Sequence, residues 1–362
     1  MRWPLLLSAV AAVLAVGCGD DDGGGTDTGP PPPPPDGGRD MGDMGEEPDM
    51  GEPDMDVPPP DMGPDAADMM VPPPDMDVPP PPDEPPETVT MVADSGFSSP
   101  LDAVMSPDGA TIYFIGFDEN LLPSIFSVAS GGGAVRILHS GAPLEAPTGL
   151  VLDCTGDTLY VADQGAEIMG SDGAVFSVPV AGGGPTSLGV TGMGGPNAIA
   201  FDTACTTLYL SGRDATGAGG VFTVAIAGGA ATAVHAGAPL VAPTGLHVDD
   251  DGTVWLLDHL ANGMAGQGVL YSIEAGGTPE EITSGLRLGS PGGVSLTAGG
   301  GFAVIANRGA MGGQLSVIDL AAPAAPTIVT STMLDPAGLR VARSAGTFAI
   351  ADSEGDAIFR AE

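Results

Sequence analysis

From about residue 88 to the end of the sequence, apolar and polar residues alternate in short runs that Gly and Pro separate. Residues 147–153 (PTGLVLD) form one such run, and residues 157–163 (DTLYVAD) form the next after a short turn. Alternation with a period of two is typical of antiparallel strands with one partly solvated face, and it excludes a helical interpretation. This part of the chain is therefore predicted to be all-β.

The alternating runs recur as six copies of one longer phrase. Each copy begins at a proline, and successive prolines are 47, 49, 47, 48 and 45 residues apart. These anchors are Pro100, Pro147, Pro196, Pro243, Pro291 and Pro336. In a complete copy, two alternating runs, a variable loop, a third run, a Gly-rich turn and a short fourth run follow the anchor. Repeats of this length, each with four strands, predict a six-bladed β-propeller.

The sixth copy ends with its third run, Ile358-Phe359-Arg360. Residues 88–96 (TVTMVADSG) precede the first anchor and resemble the fourth runs of other copies, such as residues 134–141 (AVRILHSG). We therefore expect this N-terminal strand to complete the sixth blade. Such a closure removes the exposed edge that an open array of strands leaves.

The composition before residue 88 is different. Residues 19–87 hold 21 of the 37 prolines and 21 of the 47 acidic residues, with one arginine and no aromatic residue. Such a segment cannot bury a core, and its proline runs and self-repelling charge extend the backbone. Residues 18–87 are predicted to be a disordered, acidic, Pro-rich tether, and residues 88–362 the propeller. A role of the Pro-Asp-Met repeats as a recognition element stays open.

The first 18 residues indicate secretion. Arg2 precedes an apolar run of 12 residues, Leu5 to Val16, and Gly17-Cys18 follow. This run is shorter than the roughly 20 apolar residues that cross a bilayer. Residues 14–18 (LAVGC) resemble the bacterial lipobox, which implies a lipoprotein signal peptide over residues 1–17 and lipidation of Cys18. Gly19 in place of Asp favours the outer membrane, on its periplasmic or surface face.

The net charge narrows the choice of partners. The chain carries a formal charge of −38, and it has no lysine, so its nine basic residues are all arginine. Such a surface repels nucleic-acid phosphate and anionic lipid, so nucleic acid is excluded as a partner. The membrane is contacted through the lipid anchor instead, and we expect the propeller to be a monomer.

The repeats carry a family resemblance. Residues 147–150 (PTGL) with 160–163 (YVAD), and residues 196–202 (PNAIAFD), resemble NHL-type repeats and the related gluconolactonase-like (sugar lactonase-like) propellers. In those lactonases, a divalent metal at the channel mouth is held by a first-blade glutamate and by Asn and Asp beside the anchors. Here only Asn197 matches, and the residues directly before the first anchor, Phe97-Ser98-Ser99, include no glutamate. Two threonines and one amide are a poor cage for a hard cation, so no cofactor is predicted.

A second ring of polar residues stands where the second run of each copy ends. It includes three acids, Asp163, Asp258 and Asp352, and three basic residues, Arg213, His259 and Arg308. One interpretation is that each acid caps its own loop by accepting backbone N–H groups. The other is that the ring binds a ligand, with the three basic residues receiving a carboxylate or a sugar acid. Both interpretations stay open.

Cys154 and Cys205 occupy turns of neighbouring copies. In an oxidising envelope a disulfide between them is permitted, and two reduced thiols are the alternative. Together these observations predict a lipid-anchored cell-envelope propeller that acts as a non-enzymatic binding module and contacts a protein or glycan partner through its loops. The alternatives are a divergent metal-dependent lactonase or sugar-acid hydrolase, and a purely structural surface protein.

Overall fold

The computed structural model describes residues 83–165, 172–263, 267–289, 291–310, 312–323, 325–342 and 345–362. Their regular secondary structure consists of 24 β-strands in six four-stranded antiparallel sheets. Each sheet is one blade of a six-bladed β-propeller, as predicted. The predicted signal peptide, the lipidation site Cys18 and the tether up to residue 82 lie outside the described residues.

The strands follow the repeats. Blade 1 contains β2 (Ser98–Met105), β3 (Thr111–Phe117), β4 (Pro123–Ala129) and β5 (Arg136–Ser140). Blade 2 contains β6 (Pro147–Leu152), β7 (Thr158–Asp163), β8 (Ala174–Pro179) and β9 (Thr186–Ser187). Blade 3 contains β10 (Ile199–Phe201), β11 (Thr207–Arg213), β12 (Gly219–Ala225) and β13 (Thr232–Ala236).

The remaining blades have the same order. Blade 4 contains β14 (Pro243–Val248), β15 (Val254–Asp258), β16 (Gly268–Ile273) and β17 (Glu280–Leu286). Blade 5 contains β18 (Gly293–Leu296), β19 (Phe302–Arg308), β20 (Gly313–Asp319) and β21 (Thr327–Thr330). Blade 6 contains β22 (Pro336–Val341), β23 (Phe348–Asp352), β24 (Ala357–Ala361) and the N-terminal strand β1 (Val89–Ala93).

The ring closes as predicted, by pairing the two ends of the propeller. Strand β1 runs antiparallel to β24, with Val89 opposite Ala361 and Met91 opposite Phe359. The backbone N–H groups of Glu87 and Thr88 both donate to the carbonyl oxygen of Glu362, at 2.9 Å. Blade 6 is therefore a complete four-stranded sheet.

Apolar side chains of adjacent blades pack against each other and form the core. Phe97, Phe114 and Phe126 are buried in one cluster with residues of blade 6, including Ile358. The rings of Phe114 and Phe126 stack with centroids 5.0 Å apart. Burying one such side chain contributes about 1.5–3 kcal/mol, so these contacts between blades hold the ring together.

The first strands of neighbouring blades contact one another around the ring and form its inner wall. They approach closely because glycine stands two residues after four of the anchors, at Gly149, Gly245, Gly293 and Gly338. A Cβ added to Gly149 would lie 2.5 Å from the carbonyl oxygen of Asn197 in the next blade, and one added to Gly338 would overlap Asp102. A larger residue at these positions would therefore push the inner strands apart.

The propeller has two faces, which we name by their connections. The loop face carries the connections between second and third strands and the segments that precede the anchors. The turn face carries the short turns between first and second strands, at residues 106–110, 153–157, 202–206, 249–253 and 297–301, and in blade 6 the described residues 342 and 345–347.

Residues 83–87, which the sequence analysis assigns to the tether, contact the turn face. The carboxylate of Asp83 accepts the N–H of Gly299 at 2.9 Å and that of Gly301 at 2.6 Å. Burial opposes ionisation of Asp83, but hydrogen bonds from Thr297 and from these two amides together lower its pKa. Among the described residues, the contacts of the propeller thus extend back to Asp83, five residues before the predicted boundary at residue 88. Within the described ranges, no helix is long and apolar enough to cross a membrane.

Candidate functional site

The three predicted aspartates at the ends of second strands are buried and hold backbone amides. Asp258 accepts the N–H of Val241 at 2.7 Å and that of Leu260 at 3.0 Å. Asp163 accepts the N–H groups of Glu145, Ala146 and Gly165, and Asp352 those of Leu334, Asp335 and Gly355, at 2.7 to 3.2 Å. Each carboxylate thus ties the segment before the anchor to the loop that follows the second strand.

These bonds favour one of the two interpretations of the acidic residues. A carboxylate that accepts three backbone N–H groups is an efficient cap. Asp163, Asp258 and Asp352 also do not line the loop-face cavity described next. The contacts of these three residues are therefore those of caps, and their role in binding a ligand stays a prediction.

Two of the three predicted basic residues line one cavity on the loop face. The loop-face cavity has a volume of about 810 Å³ and lies among blades 2, 3 and 4. Its polar lining consists of Gln164, Asp172, Asn197, Arg213, Asp214 and His259. Arg213 is exposed and forms no ion pair with any described residue. Its guanidinium is therefore available to an anion.

His259 is oriented by the backbone of its own blade. Its Nδ1 lies 3.1 Å from the carbonyl oxygen of Ala242. Because a carbonyl oxygen only accepts hydrogen bonds, Nδ1 carries the proton in this contact. The hydrogen bond of Nδ1 thereby fixes the orientation of the imidazole, and His259 lines the cavity in this orientation.

Arg308 does not join Arg213 and His259. Its Nε and Nη2 donate to the two carboxylate oxygens of Asp335, a bidentate ion pair between blades 5 and 6. Ser353 also donates to Asp335, at 3.1 Å. The hydrogen bond to Asp335 raises the pKa of Arg308. The predicted cluster of three basic residues is thus a pair, and Arg308 joins two blades instead.

The residues after the anchors do not form the lactonase-type metal site. Thr148 Oγ1 donates to the carbonyl of Asn197 at 2.9 Å, and Asn197 Nδ2 donates to the carbonyl of Pro243 at 3.3 Å. Asn197 Oδ1 and Thr244 Oγ1 are buried without a hydrogen-bond partner among the described residues. Two neutral oxygens without a carboxylate do not fit a hard divalent cation. No cluster of three or more His, Cys, Asp or Glu side chains suited to a metal occurs in the described part of the chain.

The inner wall holds a buried ion pair that the sequence analysis missed. Arg340 of β22 donates through Nη2 to Asp102 of β2 at 3.3 Å, and through Nη1 to the carbonyl of Leu246 in blade 4. Asp102 also accepts the N–H of Leu150 in blade 2 at 2.9 Å. The pair therefore connects four blades at the centre of the ring.

Burial dominates the electrostatics of this pair. Desolvation raises the pKa of Asp102, and the nearby Arg340 charge and two backbone amides only partly oppose it. The sequence does contain a signal for the pair. Asp102 stands two residues after its anchor, where other blades have Gly or Ala, and Arg340 stands four residues after its own anchor. A comparison of the six copies position by position would have identified both residues.

Cys154 and Cys205 lie in turns of blades 2 and 3 on the turn face. They are joined as a disulfide with their Cα atoms 6.0 Å apart, and 51 residues separate them in sequence. A closed loop of this length contributes roughly 4 kcal/mol in the chain-entropy description of disulfides. The sequence left open a disulfide or two reduced thiols, and the structure contains the disulfide.

The fold is similar to known propellers, while the sequence is not. No family model matches the chain, and no curated protein matches it. Among solved structures, the crystal structure of a nidogen/laminin complex matches 70% of this chain and 85% of the other chain, with a TM-score of 0.50 at 15% identity. TolB from Acinetobacter baumannii matches with a TM-score of 0.49 at 13% identity, and 54% of its length is covered. The six four-stranded sheets, together with the nidogen/laminin match, define the class, a six-bladed β-propeller, and the match does not extend to function.

Proposed function

We propose that this chain is a lipid-anchored binding protein of the bacterial cell envelope, without enzymatic activity, that receives an anionic ligand in its loop-face cavity. The observation that carries the proposal is the exposed, unpaired Arg213 beside His259. Three described arginines, Arg136, Arg213 and Arg287, are exposed without an ion pair, and of these only Arg213 lines the loop-face cavity. Carboxylate and sugar-acid groups match a planar guanidinium and a neighbouring imidazole.

The envelope location rests on the first part of the sequence. The lipobox-like LAVGC at residues 14–18 and the Pro- and Asp-rich residues after it support a lipid anchor followed by a long tether. Acyl chains on Cys18 would hold the protein at a membrane without a spanning helix. The propeller, a monomer in this proposal, would then reach protein or glycan partners at a distance from the bilayer.

The alternative function, a divergent sugar lactonase of the gluconolactonase-like class, has less support. It is favoured by the position of Asn197 and by the unpaired Oδ1 of that residue. It is opposed by the lack of a carboxylate at the six positions directly after the anchors, which are Leu101, Thr148, Asn197, Thr244, Gly292 and Ala337. Elemental mass spectrometry of the purified full chain separates the two functions, because a stoichiometric divalent metal would favour the lactonase.

The binding function is tested by isothermal titration of the full chain with sodium D-glucuronate, and with D-glucose as the uncharged control. We expect glucuronate to bind and Arg213→Ala to weaken the binding about tenfold, since a charge-assisted hydrogen bond contributes about 1.5–3 kcal/mol. Arg136→Ala is the matched control, because Arg136 is also exposed and unpaired among the described residues but lies on β5, outside the cavity. Equal affinities of Arg213→Ala and Arg136→Ala would contradict the proposal.

A further inference from the structure

A second cavity opens on the turn face, at the centre of the ring. This channel pocket has a volume of about 510 Å³, and its wall is formed by the inner strands of all six blades. Its lining contains none of the residues of the loop-face cavity. The volume lies in the range of pockets that hold small molecules.

Six equivalent positions define the wall of the channel pocket. They are the residues four after each anchor: Val104, Val151, Ala200, His247, Ser295 and Arg340. The positions from blades 1 to 3 are apolar, and those from blades 4 to 6 are polar. The side chain at this position of the repeat is therefore apolar in one half of the ring and polar in the other, and the pocket has one apolar and one polar half.

The polar half is hydrogen-bonded into a fixed arrangement. Ser295 Oγ lies 3.3 Å from His247 Nδ1 and accepts the N–H of Val341 at 3.2 Å. Arg340 is 8% exposed, and its Nε has no hydrogen-bond partner among the described residues. Buried donors of this kind are costly to leave unpaired, which indicates a function for the polar half beyond packing.

Arg340 keeps one donor that the protein leaves unused. Its Nη1 and Nη2 donate to the carbonyl of Leu246 and to Asp102, whereas its Nε has no partner among the described residues. A second carboxylate that entered the channel pocket would therefore meet a guanidinium, a hydroxyl and an imidazole at its inner end.

The entrance of the pocket has the opposite charge. Asp250 and Asp251 are exposed there, next to Asp249, and Thr203 donates to Asp250 at 3.3 Å. The guanidinium in the wall and these three aspartates all belong to blades 4 to 6, and the apolar positions Val104, Val151 and Ala200 belong to blades 1 to 3. A ligand with a neighbouring anion and cation on one side and an apolar group on the other matches this division.

We propose that the channel pocket binds a free α-amino acid with an apolar side chain. The carboxylate would lie against Arg340, Ser295 and His247, the ammonium group would face the aspartates at the entrance, and the side chain would pack on the apolar half. This proposal is independent of the loop-face cavity, since the two lining sets share no residue.

The test is isothermal titration of the full chain with L-leucine, N-acetyl-L-leucine and L-leucinamide. We expect L-leucine to bind, and each derivative to bind at least about tenfold more weakly, because each lacks one of the two charges. Absence of L-leucine binding would overturn the proposal. Equal binding of N-acetyl-L-leucine would overturn the role of the entrance aspartates, and equal binding of L-leucinamide that of the polar half.

Two variants test whether L-leucine binds in the channel pocket. Ser295→Ala should weaken L-leucine binding about tenfold, and Ser127→Ala should not, because Ser127 is half-buried on β4, outside the pocket. If Ser295→Ala fails to fold, Val151→Phe provides the second variant, since the larger side chain fills the apolar half. L-leucine binding that survives both Ser295→Ala and Val151→Phe would place the ligand elsewhere and refute the proposal. Glucuronate binding to the same variants reports on the loop-face cavity separately.

Discussion

Blades 2, 4 and 6 differ from blades 1 and 3 in how they satisfy the amides of the loop face. In the even blades the second strand ends in a buried aspartate, as at Asp258, which reaches a segment 17 residues away in sequence. In blades 1 and 3 a glycine, Gly116 or Gly212, is the last but one residue of the second strand, and an aspartate follows two residues later. That aspartate accepts backbone N–H groups only from its own loop, as Asp214 accepts those of Thr216 and Ala218.

The difference explains where the loop-face cavity lies. A glycine one residue before the end of the second strand lets the segment before the anchor approach directly, and a Cβ on Gly212 would lie 3.0 Å from the carbonyl of Gly194. Arg213 and Gly194 exchange two backbone hydrogen bonds, each of 2.9 Å. With its backbone held in this way, Arg213 extends its side chain from blade 3 between two blades that are capped by aspartates. The cavity thus forms where blade 3, an odd-numbered blade with a glycine in place of the aspartate, lies between blades 2 and 4, which have the aspartate.

The largest effect in this comparison should come from removing an even-blade aspartate. Asp258→Ala removes a fully buried carboxylate and leaves the N–H groups of Val241, Ala242 and Leu260 without that acceptor. We expect a loss of about 3 kcal/mol in the free energy of unfolding, measured by urea denaturation, because each of the three lost hydrogen bonds contributes about 1 kcal/mol. The matched control Asp94→Ala, at an exposed position after β1, should change the stability by less than about 0.5 kcal/mol.

A similar stability of Asp258→Ala and Asp94→Ala would remove the distinction between the two kinds of blade. It would also favour the ligand-binding interpretation of the strand-end aspartates, because their bonds to the backbone would then contribute nothing to stability.

A smaller effect is expected from filling the glycine of an odd blade. A Cβ on Gly212 would lie 2.5 Å from Met193 Cε, the end of a flexible side chain. Gly212→Ala should therefore cost about 1–2 kcal/mol, as overpacking usually does, and it should also displace the wall beside Arg213. We expect urea denaturation to show the loss and glucuronate titration to show weaker binding. A variant with unchanged stability and affinity would mean that close approach at this glycine does not shape the cavity.

The sequence predicts the fold much better than the site, and particular residues show why. The six anchors and the strand over residues 88–94 are local patterns, so the propeller and its closure follow from spacing and periodicity. The pairing of Arg308 with Asp335 joins two blades across 27 positions, and the repeat period does not predict which side chains meet there. Asp102 and Arg340 are 238 positions apart and meet only because the ring closes.

The disulfide and the loop-face cavity are partly predictable from the sequence. The offsets of Cys154 and Cys205 from their anchors place both in equivalent turns, so their proximity is predictable while their oxidation is not. The meeting of Asn197, Arg213 and His259 in one cavity also follows from equivalent offsets in consecutive blades. Their availability to a ligand depends on hydrogen bonds that only the three-dimensional structure defines.

The smallest expected effect is a pH dependence of stability that comes from Asp118 and Asp214, the aspartates that cap their own loops in blades 1 and 3. Side-chain hydrogen bonds from Ser140 to Asp118 and from Thr216 to Asp214, together with backbone amides, lower the pKa of both carboxyls below the ordinary value of 3.8. A lowered pKa in the folded state means that the stabilisation is complete above about pH 4 and is lost as the pH falls through the folded-state pKa.

We therefore expect the difference in melting temperature between the wild type and Asp214→Asn to be widest at neutral pH and to narrow below about pH 4. Circular dichroism melts between pH 7 and pH 3 measure this difference. Asparagine keeps an oxygen that can accept the amides of Thr216 and Ala218, but it does not ionise, so the variant isolates the contribution of the charge. A difference that stays constant down to pH 3 would show that the loop is held by the geometry of the cap alone. The odd blades would then differ from the even ones only in the range of their hydrogen bonds, not in their dependence on an ionised carboxylate.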